Sequence, residues 1–155
     1  MWKKLIAGLT VPAVLALPAP ASAHPRYSPT GMVMYAIYLE TNERRAENGC
    51  GPLRPETELI VASVEQSGYM ASTGEFSHVN RDGSTFITRA HRAGYEQPAG
   101  ENIAFGYHSA GEVMDAWMAS PAHRRNILNC DAKTIGTGVR YAIDGTPYYT
   151  QVFGY

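Results

Sequence analysis

The amino-acid sequence predicts an α+β, layered fold in one domain, with helices surrounding a small, mainly antiparallel sheet. Three observations predict it. In the C-terminal part Ile135, Thr137, Val139, Tyr141 and Ile143 alternate with Gly136, Gly138, Arg140 and Ala142, and after Asp144-Gly145 residues 147–153 return as a second strand. Earlier in the chain, apolar residues recur at helical spacing in segments that end on glycine. Beyond a leader, the chain of 155 residues has the length of a single domain and carries no internal repeat.

The leader is residues 1–23. Lys3 and Lys4 form a charged start, residues 5–17 an apolar run, and Ala21-Ser22-Ala23 a small-residue cleavage site, so a secretory signal peptide cut after Ala23 is expected. The apolar run is short and broken by Pro12 and Pro18, unlike a membrane span, and no later segment approaches one. No cysteine follows the cleavage site to take a lipid; the expected product is a free extracellular domain, residues 24–155. The formal charge of −1 becomes more negative without the two leader lysines, and the arginines are scattered, which argues against nucleic acid or an anionic membrane as partner. In an oxidising compartment the two cysteines, Cys50 and Cys130, are expected to pair. Such a bridge stabilises by on the order of 4 kcal/mol in the chain-entropy model. The oligomeric state leaves no mark in the sequence.

After a polar lead-in, a helix is expected from about Gly31, because Met32, Tyr35, Ala36, Leu39 and Ala46 share one side. That side is the expected inward face, and Asn48-Gly49 ends the helix. Residues 50–55, with Pro52 and Pro55, read as a rigid connector. A second helix, to about Ser72, puts Leu59, Ala62, Gln66 and Met70 in one row, and Gly74 closes it. Residues 75–78 are a loop and Asp82-Gly83 a turn. In the third helix, residues 85–93, Ser84 is the expected cap, Phe86, Ile87 and Ala90 point inward, and the arginines with His91 form a solvated face. Residues 98–107 change period and read as a strand. A fourth helix, residues 109–119, carries Val113, Met114 and Trp117.

Residues 120–130 come next. Ser120 is placed to accept a backbone N–H as N-cap and Pro121 fits the first helical turn. His123 and Ile127 then share a face, so the histidine can be aimed at a neighbouring surface while Ile127 anchors it. In the closing hairpin, Asp144-Gly145 is expected to supply the positive-φ residues of the turn.

Familiar enzyme signatures are absent. Gly136-Thr137-Gly138 lacks the third glycine of a dinucleotide loop and reads as strand glycines, and Tyr107 stands where a nucleophile elbow needs glycine. What remains is a dispersed set at element boundaries: His78 in a loop, Glu101 at a strand start and His123 at a helix start. Two imidazoles and a carboxylate are the ligand types of a catalytic zinc site and also of an acid–base pair.

One combination of segments resembles a known family. It comprises Phe76-Ser77-His78, Ala93-Gly94-Tyr95, Gly100-Glu101-Asn102-Ile103-Ala104, Trp117, Ser120-Pro121, His123-Arg124, Asn126-Ile127-Leu128, Tyr149-Thr150-Gln151 and Phe153-Gly154. In this order they resemble the bacterial branch of the CAP superfamily, the SCP-like domain of cysteine-rich secretory, venom-antigen and pathogenesis-related proteins. The resemblance implies a three-layer α-β-α sandwich, usually secreted, with a central cleft. In many members two histidines and two acids line the cleft and hold a divalent metal. His78 and Glu101 match the first histidine and first acid; Ser120 stands where the second acid is expected, and Tyr148 where the second histidine is. His123 is the candidate replacement ligand.

The expected function is a non-enzymatic, extracellular binding module for a lipid, sterol-like or cell-wall ligand, with no cofactor required. The alternative is a metal-dependent hydrolase or peptidase, in which zinc or another divalent metal at His78, Glu101 and His123 lowers the pKa of a bound water. A surface-acting structural or signalling protein is the third.

Overall fold

The computed structural model describes residues 28–155, so the expected signal peptide lies outside the described residues. The elements are α1 Pro29–Glu47, β1 Arg54–Pro55, α2 Thr57–Thr73, α3 Phe86–Ala93, β2 Pro98–Phe105, α4 Ala110–Ala119, α5 Pro121–Ile127, β3 Thr134–Tyr141 and β4 Pro147–Gly154. The strands form one sheet in the order β1-β3-β4-β2, antiparallel apart from the parallel β1–β3 pair. Residues 50–55 are thus more than a connector, since Arg54 and Pro55 pair with Thr134 and Ile135. Among the described residues no helix is long and apolar enough to cross a membrane.

The sheet is the middle layer of an α-β-α sandwich. On one face Leu59 of α2 and Ala90 of α3 pack on Val152, and Met70 packs on Ile103 and Tyr148. On the other face Ile37 of α1, Met114 and Trp117 of α4 and Ile127 of α5 cover Val139 and Tyr149. The α2 row expected from the sequence, Leu59, Ala62, Gln66 and Met70, is buried as read.

α2 lies flush on β3. A Cβ at Gly136 would stand 2.0 Å from the Leu59 carbonyl carbon, and one at Gly138 2.3 Å from that of Ser63. These glycines are therefore a packing requirement, and the small facing residues use the approach: Ser63 Oγ donates to the Gly136 carbonyl at 3.0 Å and Ser67 Oγ to that of Gly138 at 3.0 Å.

Several local expectations are corrected. α1 does not bury Met32, Tyr35 and Leu39, of which Met32 is 56% exposed; its buried row is Ile37, Thr41 and Arg45. Two members of that row are polar, so hydropathy pointed to the wrong side. Thr41 is satisfied by donating to the Ile37 carbonyl at 2.6 Å. Arg45 donates to the carbonyls of Gly51, Ile127, Asn129 and Ala132 at 2.9, 2.8, 2.7 and 3.2 Å. Beside it Cys50 and Cys130 form the expected disulfide, with Cα atoms 4.9 Å apart.

Thr85, one residue after the expected cap, begins α3 by accepting from the Thr88 N–H, and Ile87 stays 44% exposed. Ser120 is the N-cap of α5 by position and makes no side-chain cap bond. In the β3–β4 turn only Gly145 has positive φ; Asp144 instead accepts from the Thr146 N–H at 2.9 Å.

Candidate functional site

The site is assembled around β2, the edge strand, whose side chains alternate between the two faces of the sheet. Glu101 and Ile103 face α2 and α3, whereas Asn102 and Ala104 face α4 and α5. Side chains guard the open edge: Asn126 Nδ2 donates to the Glu101 carbonyl at 3.1 Å and Trp117 Nε1 to that of Ile103 at 3.1 Å. With these carbonyls occupied, strand addition at the edge is discouraged.

The same bonds place α5. Asn126 Nδ2 also reaches Asn102 Oδ1 at 2.9 Å, and Asn102 Nδ2 donates to the His123 carbonyl at 3.2 Å. Asn102 is held in turn by Gln151 Oε1 at 3.2 Å, and Gln151 Nε2 donates to Thr41 Oγ1 at 2.7 Å. One network therefore runs from α1 through β4 and β2 to the helix that carries His123. Gly100 lets α5 come this close, because a Cβ there would meet Asn126 Oδ1 at 2.8 Å.

On the other face the structure brings His78 and Glu101 together: His78 Nδ1 lies 2.8 Å from Glu101 Oε1. Arg89 takes the other oxygen, its Nη2 donating to Glu101 Oε2 at 2.7 Å. The guanidinium also donates to the Ser84 carbonyl at 2.9 Å and to the His78 carbonyl at 3.3 Å, so it holds both the carboxylate and the loop that bears the histidine. Burial is graded along this chain: the side chains of Arg89 and Glu101 are 0% and 1% exposed, and that of His78 is 50% exposed. An ionised Glu101 accepts from Nδ1–H, which leaves Nε2 of a neutral His78 with a lone pair.

Arg89 is the residue that sequence reasoning missed, having been assigned to a solvated face. Arg92 and His91 of the same helix are exposed as expected. An arginine gives no local sign of burial when its partner is a strand residue elsewhere in the chain. The one available hint was its place next to the inward Ala90.

Two cavities lie along β2. The first, of about 300 Å³, includes Phe76, Phe105, Trp117, Ser120 and His123 in its lining; the second, of about 500 Å³, includes His78, Phe86, Ile87, Glu101 and Asn126. His78 and His123 thus belong to adjoining cavities. Burial lowers the His123 pKa below the ordinary imidazole value, and the nearby His78 charge lowers it further. The rings of Phe76 and Phe105 lie 4.9 Å apart, and Tyr148 stacks on Phe105 at 5.6 Å. Tyr148, standing where the resemblance puts a second histidine, is an aromatic support. Tyr149 donates its hydroxyl to the Tyr107 carbonyl at 2.6 Å, and burial pushes its pKa up to about 12.

The donor set does not fit a divalent metal. Both Glu101 oxygens are engaged, Arg89 supplies the countercharge, and among the described residues no three or more His, Cys, Asp or Glu side chains gather into a metal-holding group.

The fold and the edge-strand site are those of a CAP domain. The family model of the cysteine-rich secretory protein family matches residues 38–153, and the chain belongs to that family. It is 35% identical over 116 residues to the uncharacterized protein YkwD of Bacillus subtilis, a match covering 74% of this chain and 44% of YkwD. The chain spans less than half the length of the curated relatives it matches. Among solved structures, an outer surface protein of Borrelia burgdorferi superposes with a TM-score of 0.74 at 24% identity, over 81% of this chain and 93% of that one. An extracellular protein of Bacillus anthracis containing an SCP domain does so with a TM-score of 0.72 at 25% identity, over 84% and 45%.

Proposed function

We propose that the protein is a secreted, non-enzymatic binding module that holds a lipid, sterol-like or cell-wall ligand in the groove along β2. The observation that carries this reading is the double engagement of Glu101. A carboxylate locked between His78 and Arg89 positions an imidazole but leaves no oxygen for a metal ion. The groove around it mixes aromatic and aliphatic walls with few polar groups, the composition of a small-ligand site. An extracellular location is supported by the leader and by the outer-surface and extracellular proteins that share the fold.

Titrating the protein with palmitate, a sterol and soluble cell-wall fragments, with backbone amide shifts as readout, tests the reading. Shifts confined to residues 76–79, 99–107 and 120–126 are expected. Binding that leaves those amides unmoved, or that survives His78→Ala together with Glu101→Ala at full affinity, would remove the groove as the site.

A further inference from the structure

The two cavities are unequal in chemistry and ordered along one strand. The first draws on residues 103–105 of β2 and the second on residues 99–101. Their centres are therefore about four strand residues, or ~13 Å, apart at ~3.3 Å per residue. The first is walled by Phe76 and Phe105, each 48% exposed; the second carries Val79 and Ile87, 49% and 44% exposed. Between these apolar ends stand the two imidazoles, one from each cavity. We infer that the groove takes an extended, uncharged peptide segment whose two large apolar side chains, four residues apart, fill the two cavities while its backbone crosses the imidazoles.

The spacing is the first reason. An extended peptide advances at the same ~3.3 Å per residue as β2, and side chains four apart point the same way. The order apolar–polar–apolar is the second. A continuous acyl chain would press methylenes against both imidazoles, stripping polar groups of water without replacing their hydrogen bonds. A backbone N–H in that position instead donates to His78 Nε2. Scarcity of free polar groups is the third. Glu101, Asn102 and Asn126 are already engaged with protein partners, so a hydroxyl-rich glycan would bury groups that find too few mates. Charge agrees as well: neither cavity lining contains Lys or Arg, and its one carboxylate is compensated by Arg89.

This inference rests on the β2 groove being the binding site. A phage-displayed random dodecapeptide library, selected on the wild-type protein with counter-selection on an Ile87→Ser/Phe105→Ser variant, tests it. The enriched peptides should share two large apolar residues four apart. Their synthetic versions should shift the amides of residues 99–105, and lose at least tenfold in affinity with Phe105→Ser or Ile87→Ser. They should be unaffected by Ile143→Ser at the exposed hairpin tip. Because all three side chains are substantially exposed, unchanged melting temperatures are expected, and shift mapping on the wild type provides a second readout. No enrichment, or enriched peptides indifferent to both substitutions, overturns the inference. Chitotetraose and palmitate are titrated in parallel. If either moves the β2 amides and the peptides do not, the groove reading stands and the peptide inference falls; if nothing binds the groove, both fall.

Discussion

Two arginines are wholly buried in this protein, and they are buried for different ends. Arg45 sits under α1 among four backbone carbonyls beside the Cys50–Cys130 bridge. Arg89 sits under α3 against one carboxylate, which in turn holds a half-exposed histidine. Ile127 and Asn129, two of the residues bonded by Arg45, close α5, where a cation also complements the helix dipole. Its charge ends inside the protein and ties segments together. The Arg89 charge is passed through Glu101 to a group that meets solvent. Burial alone does not separate a structural charge from a functional one; where the chain of bonds ends does.

The contrast breaks most sharply at Arg89. Arg89→Met leaves a buried carboxylate unpaired and should cost about 3–5 kcal/mol in urea unfolding. Replacing both partners, Arg89→Met with Glu101→Leu, should recover most of that stability while His78 loses its anchor. If the double variant is no more stable than the single, the ion pair is not the source of the cost. Arg45→Met should cost about 3 kcal/mol, because several carbonyls lose their donor. No second substitution can rescue it, since the partners are main chain, and the amide shifts of residues 99–105 should stay unchanged.

A smaller effect sharpens the structural half. Cys50→Ala with Cys130→Ala should cost about 2 kcal/mol, less than the chain-entropy estimate, because Arg45 already holds Gly51 and Asn129 together. In the Arg45→Met background the same pair should cost more, a coupling that a double-mutant cycle reads directly. Equal costs in both backgrounds would show that the two ties are independent.

The smallest effect lies at His123, whose folded pKa is lowered by burial and by His78. The unfolded imidazole therefore takes up its proton first as pH falls below about 6.5. Stability that is complete above that pH declines as pH drops towards the lowered folded value. His123→Gln should flatten this part of a stability-versus-pH curve and leave stability at pH 8 nearly unchanged. A steeper acid slope in the variant would contradict the sign.

Much of the fold was legible because it is written in local patterns: the β3–β4 alternation, the α2 row from Leu59 to Met70 and the glycine stops. The resemblance located His78 and Glu101, and the structure brought them into contact. The inner face of α1 and the role of Arg89 were hidden for one shared reason. Thr41, Arg45 and Arg89 are polar residues made tolerable inside by partners distant in sequence, such as Gln151, Asn129 and Glu101. A hydropathy pattern assigns such residues outward, and α1 was accordingly turned the wrong way.

The seating of α2 on β3 has a consequence for oxidative folding. Four residues of helix advance ~6.0 Å and two of strand ~6.6 Å, so Ser63 and Ser67 match Gly136 and Gly138 like teeth of similar pitch. A slip of β3 by one residue would push Ile135 or Thr137 against the helix backbone, where a Cβ has no room. Cys130 lies just upstream of the strand, and such a slip would carry it ~3.3 Å from its place beside Cys50. The thiols therefore meet in a chain whose sheet register has already been checked, and the bridge seals the correct alignment.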